Sequence, residues 1–335
     1  MAPNVVIIGG GFAGSSAARI LHHHFNVTLI DTKDYFEFTP SILRLIAHPH
    51  HAGRIRAKHH DYLKHVRIIT HSATRITRKD VHTPTTIHPY DYLLITAGAH
   101  YGTPLAGKAI YNGVQTSTYP RARDILSTGA KTLIIGGGIV GIELATEILQ
   151  AYPQCKLTIA QGGPVILPRS PRKAQVYATK HLTTRGAQIL TNTTITHRTA
   201  KGCTTRTGAT IEADIIFICT GIQSNTEHFR PFLTNSLDQR GAINVHPTLQ
   251  VIGQHNVLAA GDITSIPEEK LAQCAQEQGS IAAQNIIRLA QGKTTLLTYK
   301  PRPRPVLISL GETDAILTYK TFTLTGRVPS LLKHA

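Results

Sequence analysis

Short runs of branched apolar residues recur along the chain, and most of them stop at a glycine. Val5-Val6-Ile7-Ile8 halts at Gly9, Leu93-Leu94-Ile95-Thr96-Ala97 at Gly98, Thr132-Leu133-Ile134-Ile135 at Gly136, Ile215-Ile216-Phe217-Ile218-Cys219-Thr220 at Gly221, and Asn256-Val257-Leu258-Ala259-Ala260 at Gly261. Two further runs, Val27-Thr28-Leu29-Ile30 and Lys156-Leu157-Thr158-Ile159-Ala160, end instead at the polar residues Asp31 and Gln161. Continuous rather than alternating hydrophobicity is how strands of a parallel sheet read when both faces are covered. Helical stretches are predicted from Ser15 to about His24, from Ile142 to about Tyr152, and from about Glu268 to Ala290. Strand–helix–strand alternation of this kind predicts an α/β fold. After the last long helix the pattern predicts two strands, around 306–310 and 315–324, and a short end at Ser330-Leu331-Leu332.

The glycines carry a chemical reading. In Gly9-x-Gly11-x-x-Gly14 the spacing lets the backbone turn tightly, approach a pyrophosphate and pack helix on strand, while the helix N-terminus offers N–H donors and a positive dipole end. Asp31, 22 residues after Gly9, can accept hydrogen bonds from a ribose diol. The grammar repeats 127 residues later as Gly136-x-Gly138-x-x-Gly141. One such turn is weak evidence, but two, each framed by strand and helix, predict two dinucleotide sites, one for FAD and one for NADH or NADPH. Gln161 stands where Asp31 stands in the first repeat, so no carboxylate repels a 2′-phosphate. Arg169, Arg172 or Lys173 could attract one, or could be solvated loop charges, and both nicotinamides stay open.

Composition narrows the class. At 335 residues, with 41% hydrophobic and 16% charged residues and no apolar run of membrane-spanning length, the chain predicts two or three globular units and no transmembrane segment. The net charge of +16 is spread along the chain rather than gathered in an arm, so nucleic acid is not the expected partner. Cys155, Cys203, Cys219 and Cys274 form no CxxC or CxxxxC pair, which argues against a disulfide framework, a dithiol site or a thiolate zinc cluster. The histidine runs His22-His23-His24, His48-Pro49-His50-His51 and His59-His60 lack ligands at metal spacing and read as surface histidine; no metal is expected. The first strand begins almost at once and no lipidation acceptor is present, which predicts a cytoplasmic, unanchored protein, with peripheral contact to an anionic membrane left open.

At these residues the chain resembles the two-dinucleotide-binding flavoprotein superfamily. Asp31-Thr32-Lys33-Asp34-Tyr35-Phe36-Glu37-Phe38-Thr39-Pro40, Tyr90-Asp91-Tyr92-Leu93, Gly138-Ile139-Val140-Gly141-Ile142-Glu143 and Gly261-Asp262 look like type II NADH:quinone dehydrogenases and, more closely, the apoptosis-inducing-factor-like ferroptosis-suppressor quinone reductases. The resemblance implies two Rossmann-like domains in a glutathione-reductase-like arrangement: FAD-binding at 1–105 and 241–293, NAD(P)H-binding at 106–240, and a short C-terminal segment at 294–335. It implies hydride transfer from the nicotinamide to the flavin, then two electrons to a quinone. Asp262 is expected on the flavin's ribityl hydroxyls and Glu143 facing the nicotinamide, orienting its carboxamide or taking part in proton delivery. Further cofactor contacts are expected at Phe12, Ala13, Lys33, Pro40, Arg44, Ala97, Gly98, Ile139, Gly221 and Gln273. Ala272-Gln273-Cys274-Ala275-Gln276-Glu277-Gln278-Gly279 resembles the Ala-Gln-x-Ala-x-Gln-Gln-Gly quinone-site motif, with Glu277 replacing a glutamine; Gln273 and Glu277 fall on one helical face that could offer polar contacts to a quinone carbonyl. The glutathione-reductase-like and NADH-peroxidase-like branches need a cysteine in the first third of the chain, and none is there. The sequence departs from the group in its short C-terminal region. The basic stretch Tyr299-Lys300-Pro301-Arg302-Pro303-Arg304-Pro305 reads as a stiff solvated connector. Two other readings stay open: an oxidase or electron-transfer-protein reductase, and a non-catalytic, nucleic-acid-binding flavoprotein like apoptosis-inducing factor.

Overall fold

The computed structural model describes residues 2–102, 105 and 109–331. The boundary expected between 105 and 106 lies at the edge of these limits, and Leu332 lies outside them. In chain order the elements that position the site are β1 (Asn4–Ile8), α1 (Phe12–Leu21), β2 (Asn26–Asp31), β3 (Arg67–Thr70), β4 (Tyr92–Ile95), β5 (Ile110–Asn112), β6 (Lys131–Ile135), α2 (Ile139–Ala151), β7 (Lys156–Ala160), α3 (Arg172–Thr183), β8 (Gln188–Leu190) and β9 (Ile215–Ile218). They continue with β10 (Val257–Ala259), α4 (Ala272–Ala290), β11 (Val306–Ser309), β12 (Ala315–Tyr319), β13 (Phe322–Gly326) and α5 (Arg327–Leu331).

The chain divides into two compact units. The first comprises Met1–Pro40, Gly53–His100 and Ile222–Arg302, and the second Ser41–Ala52, Tyr101–Gly221 and Pro303–Ala335. Relative to the expected boundaries, 222–240 falls in the first unit, while 41–52 and most of the C-terminal segment fall in the second. The C-terminal segment is no separate tail because Ser309 and Glu312 hydrogen-bond to Glu143 and Gln150 on α2.

In the first unit the sheet order is β10-β4-β1-β2-β3, with every neighbouring pair parallel. Because successive side chains point to opposite faces, Val5 and Ile7 join one core cluster with Ala17 and Leu21 of α1 and Ala282 and Ile286 of α4, while Val6 and Ile8 join another with Val81 and Ile263. All four strand residues are at most 4% exposed, which is why the run is continuously apolar; each contributes about 1.5–3 kcal/mol of burial. In the second unit the order is β5-β9-β6-β7-β8, again all parallel; β9-β6-β7-β8 repeats the connectivity of β4-β1-β2-β3, while the edge strand β5 precedes these four in the chain and β10 follows its four. β1 and β6, the strands that lead into the glycine turns, are third in both orders.

Three antiparallel strands, β11-β12-β13, form a small sheet in the second unit. The single strand expected at 315–324 is two: the chain reverses at Lys320, whose φ is 51°, and Tyr319 pairs with Phe322. The long helix expected from Glu268 begins at Ala272, since Glu268 and Lys270 are held by other contacts described below. Among the described residues no helix is long and apolar enough to cross a membrane.

Candidate dinucleotide sites

In the first unit β1 runs into the turn that begins at Gly9, where φ is +100°. A Cβ on Gly9 would stand 2.4 Å from the Thr96 carbonyl oxygen, and one on Gly14 would stand 1.9 Å from the Gly9 carbonyl oxygen. Both positions therefore require glycine, the first for the turn and the second for helix-on-strand contact. Gly11 differs: it is the exposed N-cap of α1 with φ −72°, and a Cβ there would meet nothing within 4 Å. A backbone that could carry a side chain and does not is what close approach of a phosphate requires. Asp31, at the end of β2, accepts a hydrogen bond from the Gly10 N–H on Oδ2 and from the Lys33 N–H on Oδ1 at 2.8 Å.

The second unit repeats this geometry residue for residue. Gly136 has φ +113° and its Cβ would lie 2.7 Å from the Cys219 carbonyl oxygen; the Cβ of Gly141 would lie 1.9 Å from the Gly136 carbonyl oxygen; Gly138, the N-cap of α2 with φ −77°, faces open space. Gln161 directly follows β7, and its Oε1 accepts from the Gly137 N–H at 2.8 Å, as Asp31 does from Gly10. Gly98 and Gly221 match as well: each follows the strand that is second in its sheet order, has φ near +60°, and would meet nothing within 4 Å if it carried a Cβ.

α4 lies against the first turn. A Cβ on Gly279 would stand 2.2 Å from the Ala13 carbonyl oxygen, and one on Gly261, whose φ is +83°, would stand 3.4 Å from Ala13 Cβ. Only backbone-to-backbone contact allows this crossing, and it sets the polar start of α4 beside α1. Gln278, 2% exposed, accepts from the Gly261 N–H at 2.7 Å and donates to Glu268 at 2.6 Å. Glu268 also accepts from the Tyr299 hydroxyl at 2.8 Å on each oxygen. The loop from Gly261 to α4 is thereby pinned on the helix, and Tyr299 is an anchored core residue rather than part of a solvated connector. Burial pushes the Asp262 carboxyl up, an effect that nearby Lys270 opposes and Glu268 adds to. Burial pulls the Lys270 ammonium down, with Asp262 and Glu268 opposing. The Lys270 Nζ donates to the Thr264 carbonyl at 2.7 Å. Glu277 accepts from Arg302 at 2.9 Å.

The other expected site residues fall as follows. Phe12 opens α1, its ring 5.0 Å from Phe36 and 5.7 Å from Phe38. Lys33 reaches Glu37 at 3.2 Å, Pro40 is exposed, and the Ala97 carbonyl accepts from Asn225 at 2.6 Å. Ile139 is the first residue of α2 and half-buried. Gln273, in the first turn of α4, is exposed. Arg44 lies in the second unit, 3.8 Å from the buried carboxylate of Glu147. Glu143, two residues into α2 from Gly141, accepts from the Ser309 N–H at 2.7 Å, so the C-terminal sheet holds this carboxylate.

A family model for "Pyridine nucleotide-disulphide oxidoreductase" matches residues 3–279. The chain belongs to this family. The chain is 29% identical over 350 residues to apoptosis-inducing factor homolog B of Dictyostelium discoideum, covering 93% of this chain and 88% of that one. To ferroptosis suppressor protein 1 of Xenopus tropicalis it is 27% identical over 331 residues, covering 93% and 87%. The solved structure of NDH2 from Plasmodium falciparum in complex with NADH superposes with a TM-score of 0.86 at 15% identity, covering 99% of this chain and 93% of that one. Members of the family are flavin-dependent oxidoreductases that bind FAD and NADH or NADPH, and the residues here fit that pair: two glycine turns of one geometry, each with an uncrowded helix N-terminus and a side-chain acceptor on the second residue of the turn. The chain's four cysteines are buried and none is in a disulfide; burial raises the Cys219 thiol to about 12.

Sequence reading missed several residues that shape the sites. Glu268, Lys270 and Tyr299 sit outside any motif, and Ser309 reaches Glu143 across 166 positions. The pair His59-His60, read as surface histidine, splits: His60 is exposed and His59 is 0% exposed, directly behind the first turn. His88 and His181 are buried too.

Proposed function

We propose that this protein is an FAD-dependent NAD(P)H:quinone oxidoreductase. The observation that carries the reading is the crossing of α4 on the first turn, where Gly279 meets the Ala13 backbone: it brings the helix bearing Gln273, Glu277 and Gln278 against the turn assigned to FAD, in a chain with no cysteine pair to take electrons instead. The resemblance of this helix start to a quinone-site motif, and the likeness to ferroptosis suppressor protein 1 and to NDH2, support the same acceptor class.

Bound FAD would supply a two-electron carrier between nicotinamide and quinone. The chain's own part is to bind and align. The N–H groups at the start of α1 receive the FAD pyrophosphate, Asp31 accepts from the adenosine ribose hydroxyls and Asp262 from the ribityl hydroxyls. The start of α2 receives the nicotinamide dinucleotide, and Glu143, fixed by the Ser309 N–H, orients the carboxamide. Gln273 offers an amide donor to a quinone carbonyl.

Gln161 sets the nicotinamide range. With Oε1 held by the Gly137 N–H, its amide keeps an –NH₂ donor where Asp31 in the first unit offers only acceptors. A donor hydrogen-bonds either a ribose hydroxyl or a 2′-phosphate, so both NADH and NADPH are substrates.

Steady-state turnover with each nicotinamide, against a short-chain ubiquinone, oxygen and a ferredoxin, tests the reading. Faster turnover with the quinone than with either other acceptor, from both NADH and NADPH, is the expected result. Preference for oxygen or ferredoxin would replace the quinone with that acceptor, and negligible turnover with all three, together with steeply salt-dependent DNA binding, would favour a non-catalytic flavoprotein.

A further inference from the structure

Behind the first glycine turn lies a hydrogen-bonded chain that the reaction does not use. Ser15 Oγ donates to the Gly10 carbonyl at 2.7 Å, Ser15 Oγ and the Tyr62 hydroxyl are 2.9 Å apart, and the Tyr62 hydroxyl and His59 Nδ1 are 2.7 Å apart. The direction of every bond follows from proton counting. Ser15 has one hydroxyl proton, given to Gly10, so it must accept from Tyr62; Tyr62 in turn has given its only proton, so it must accept from His59 Nδ1–H. The far nitrogen, Nε2, is buried with no hydrogen-bond partner. It faces Gly10: a Cβ on that glycine would stand 2.5 Å from both Cε1 and Nε2 of His59, and 2.9 Å from Asp31 Oδ2. Burial pulls the His59 imidazole down, with Lys33 acting the same way and Asp31 and Asp34 opposing, and burial pushes the Tyr62 phenol up, so the chain is neutral.

We propose that His59 is a positioning residue for FAD, acting through Tyr62 and Ser15 on Gly10. The relay ends on the Gly10 carbonyl, while the N–H of the same residue donates to the Asp31 carboxylate. Both polar groups of Gly10 are therefore held, one from behind by the relay and one by the side chain assigned to the ribose. The ring also fills the space a side chain at position 10 would need, which keeps the turn thin. A buried nitrogen without a partner has a desolvation cost, and its retention here is explained by the Nδ1–H donor that the same ring supplies to the relay. The inference rests on reading the first turn and Asp31 as the adenosine end of the FAD site.

Flavin-free protein, titrated with FAD and with FMN by flavin fluorescence and with ADP by competition, tests it. FMN lacks the adenosine that Asp31 would meet, so a general loss of structure weakens FAD and FMN together, whereas loss of the relay weakens only FAD and ADP. His59→Phe, which keeps a ring but no donor, and Tyr62→Phe, which removes one oxygen at a half-buried position, should each weaken FAD and ADP about tenfold, the worth of one hydrogen bond, with FMN within about twofold. His59→Asn, whose amide N–H can reach the Tyr62 oxygen, should restore most of the FAD affinity. Equal effects on FAD and FMN, or unchanged FAD affinity in Tyr62→Phe, would overturn the inference while leaving the FAD reading intact. Wild-type protein that binds no FAD would remove both.

Discussion

Gly11 and Gly138 separate binding from folding at single residues. Both have ordinary negative φ and neither is crowded, so alanine fits the backbone at each position and slightly restricts the unfolded chain. What the added methyl does occupy is the space in front of the helix N-terminus. Gly11→Ala should therefore weaken FAD and Gly138→Ala should weaken NAD(P)H, each at least tenfold by fluorescence titration, with thermal unfolding of the flavin-free protein unchanged or slightly raised. Gly141→Ala is the contrasting case: its methyl would lie 1.9 Å from the Gly136 carbonyl oxygen, and the helix must shift to admit it, at about 1–3 kcal/mol or more of stability. If Gly138→Ala binds NADH and NADPH as the wild type does, the second turn is not a phosphate site.

The element that joins the first glycine turn to the loop after Gly261 is α4, and its connection depends on a residue outside the expected contacts. Gln278 spans from the Gly261 N–H to Glu268, so Gln278→Leu, close to it in volume, leaves a buried N–H with no acceptor. Chemical denaturation should show a loss of about 1–3 kcal/mol for the first unit; an unchanged midpoint would mean that the loop before α4 is held by other contacts. What could be read from the sequence at this scale is what is local. The strand–turn–helix units were legible because a glycine is demanded within a few residues of the strand it ends, at Gly9 and Gly14 or Gly136 and Gly141. Asp31 and Gln161 were legible as counterparts because each stands where the apolar run of the next strand of its repeat stops. The contacts of Glu268 with Tyr299, Glu143 with Ser309 and Arg44 with Glu147 join distant segments and leave no spacing signal. The reversal at Lys320 was hidden because Tyr319-Lys320-Thr321 contains none of the usual turn residues. His59 and His60 are indistinguishable as letters, and only the packing of the short helix that carries them buries one and exposes the other.

Across the whole molecule the buried histidines give stability a pH dependence. Burial lowers the pKa of His59, His88 and His181, so each is neutral in the folded protein where the unfolded chain would already take up a proton. The unfolded state binds more protons below about pH 6.5, and stability falls as pH drops from there toward the folded-state values, by up to about 1.4 kcal/mol per pH unit for each histidine. Thermal unfolding of the flavin-free protein should come at lower temperature at pH 5.5 than at pH 7.5; a flat or rising midpoint on acidification would show these rings to be protonated in the folded state. The net charge of +16, diffuse along the sequence, suits a protein whose two coenzymes are both anionic, and it adds no localised arm for nucleic acid. Two parallel sheets, each with its own glycine turn, are the whole-molecule basis of the proposed function. Anaerobic titration of the FAD-reconstituted protein tests this most directly. Yellow protein that bleaches on addition of NADH or NADPH, and recovers its colour when a short-chain ubiquinone is added, is the predicted result. Protein that cannot take up FAD, or whose flavin neither nicotinamide reduces, would contradict it.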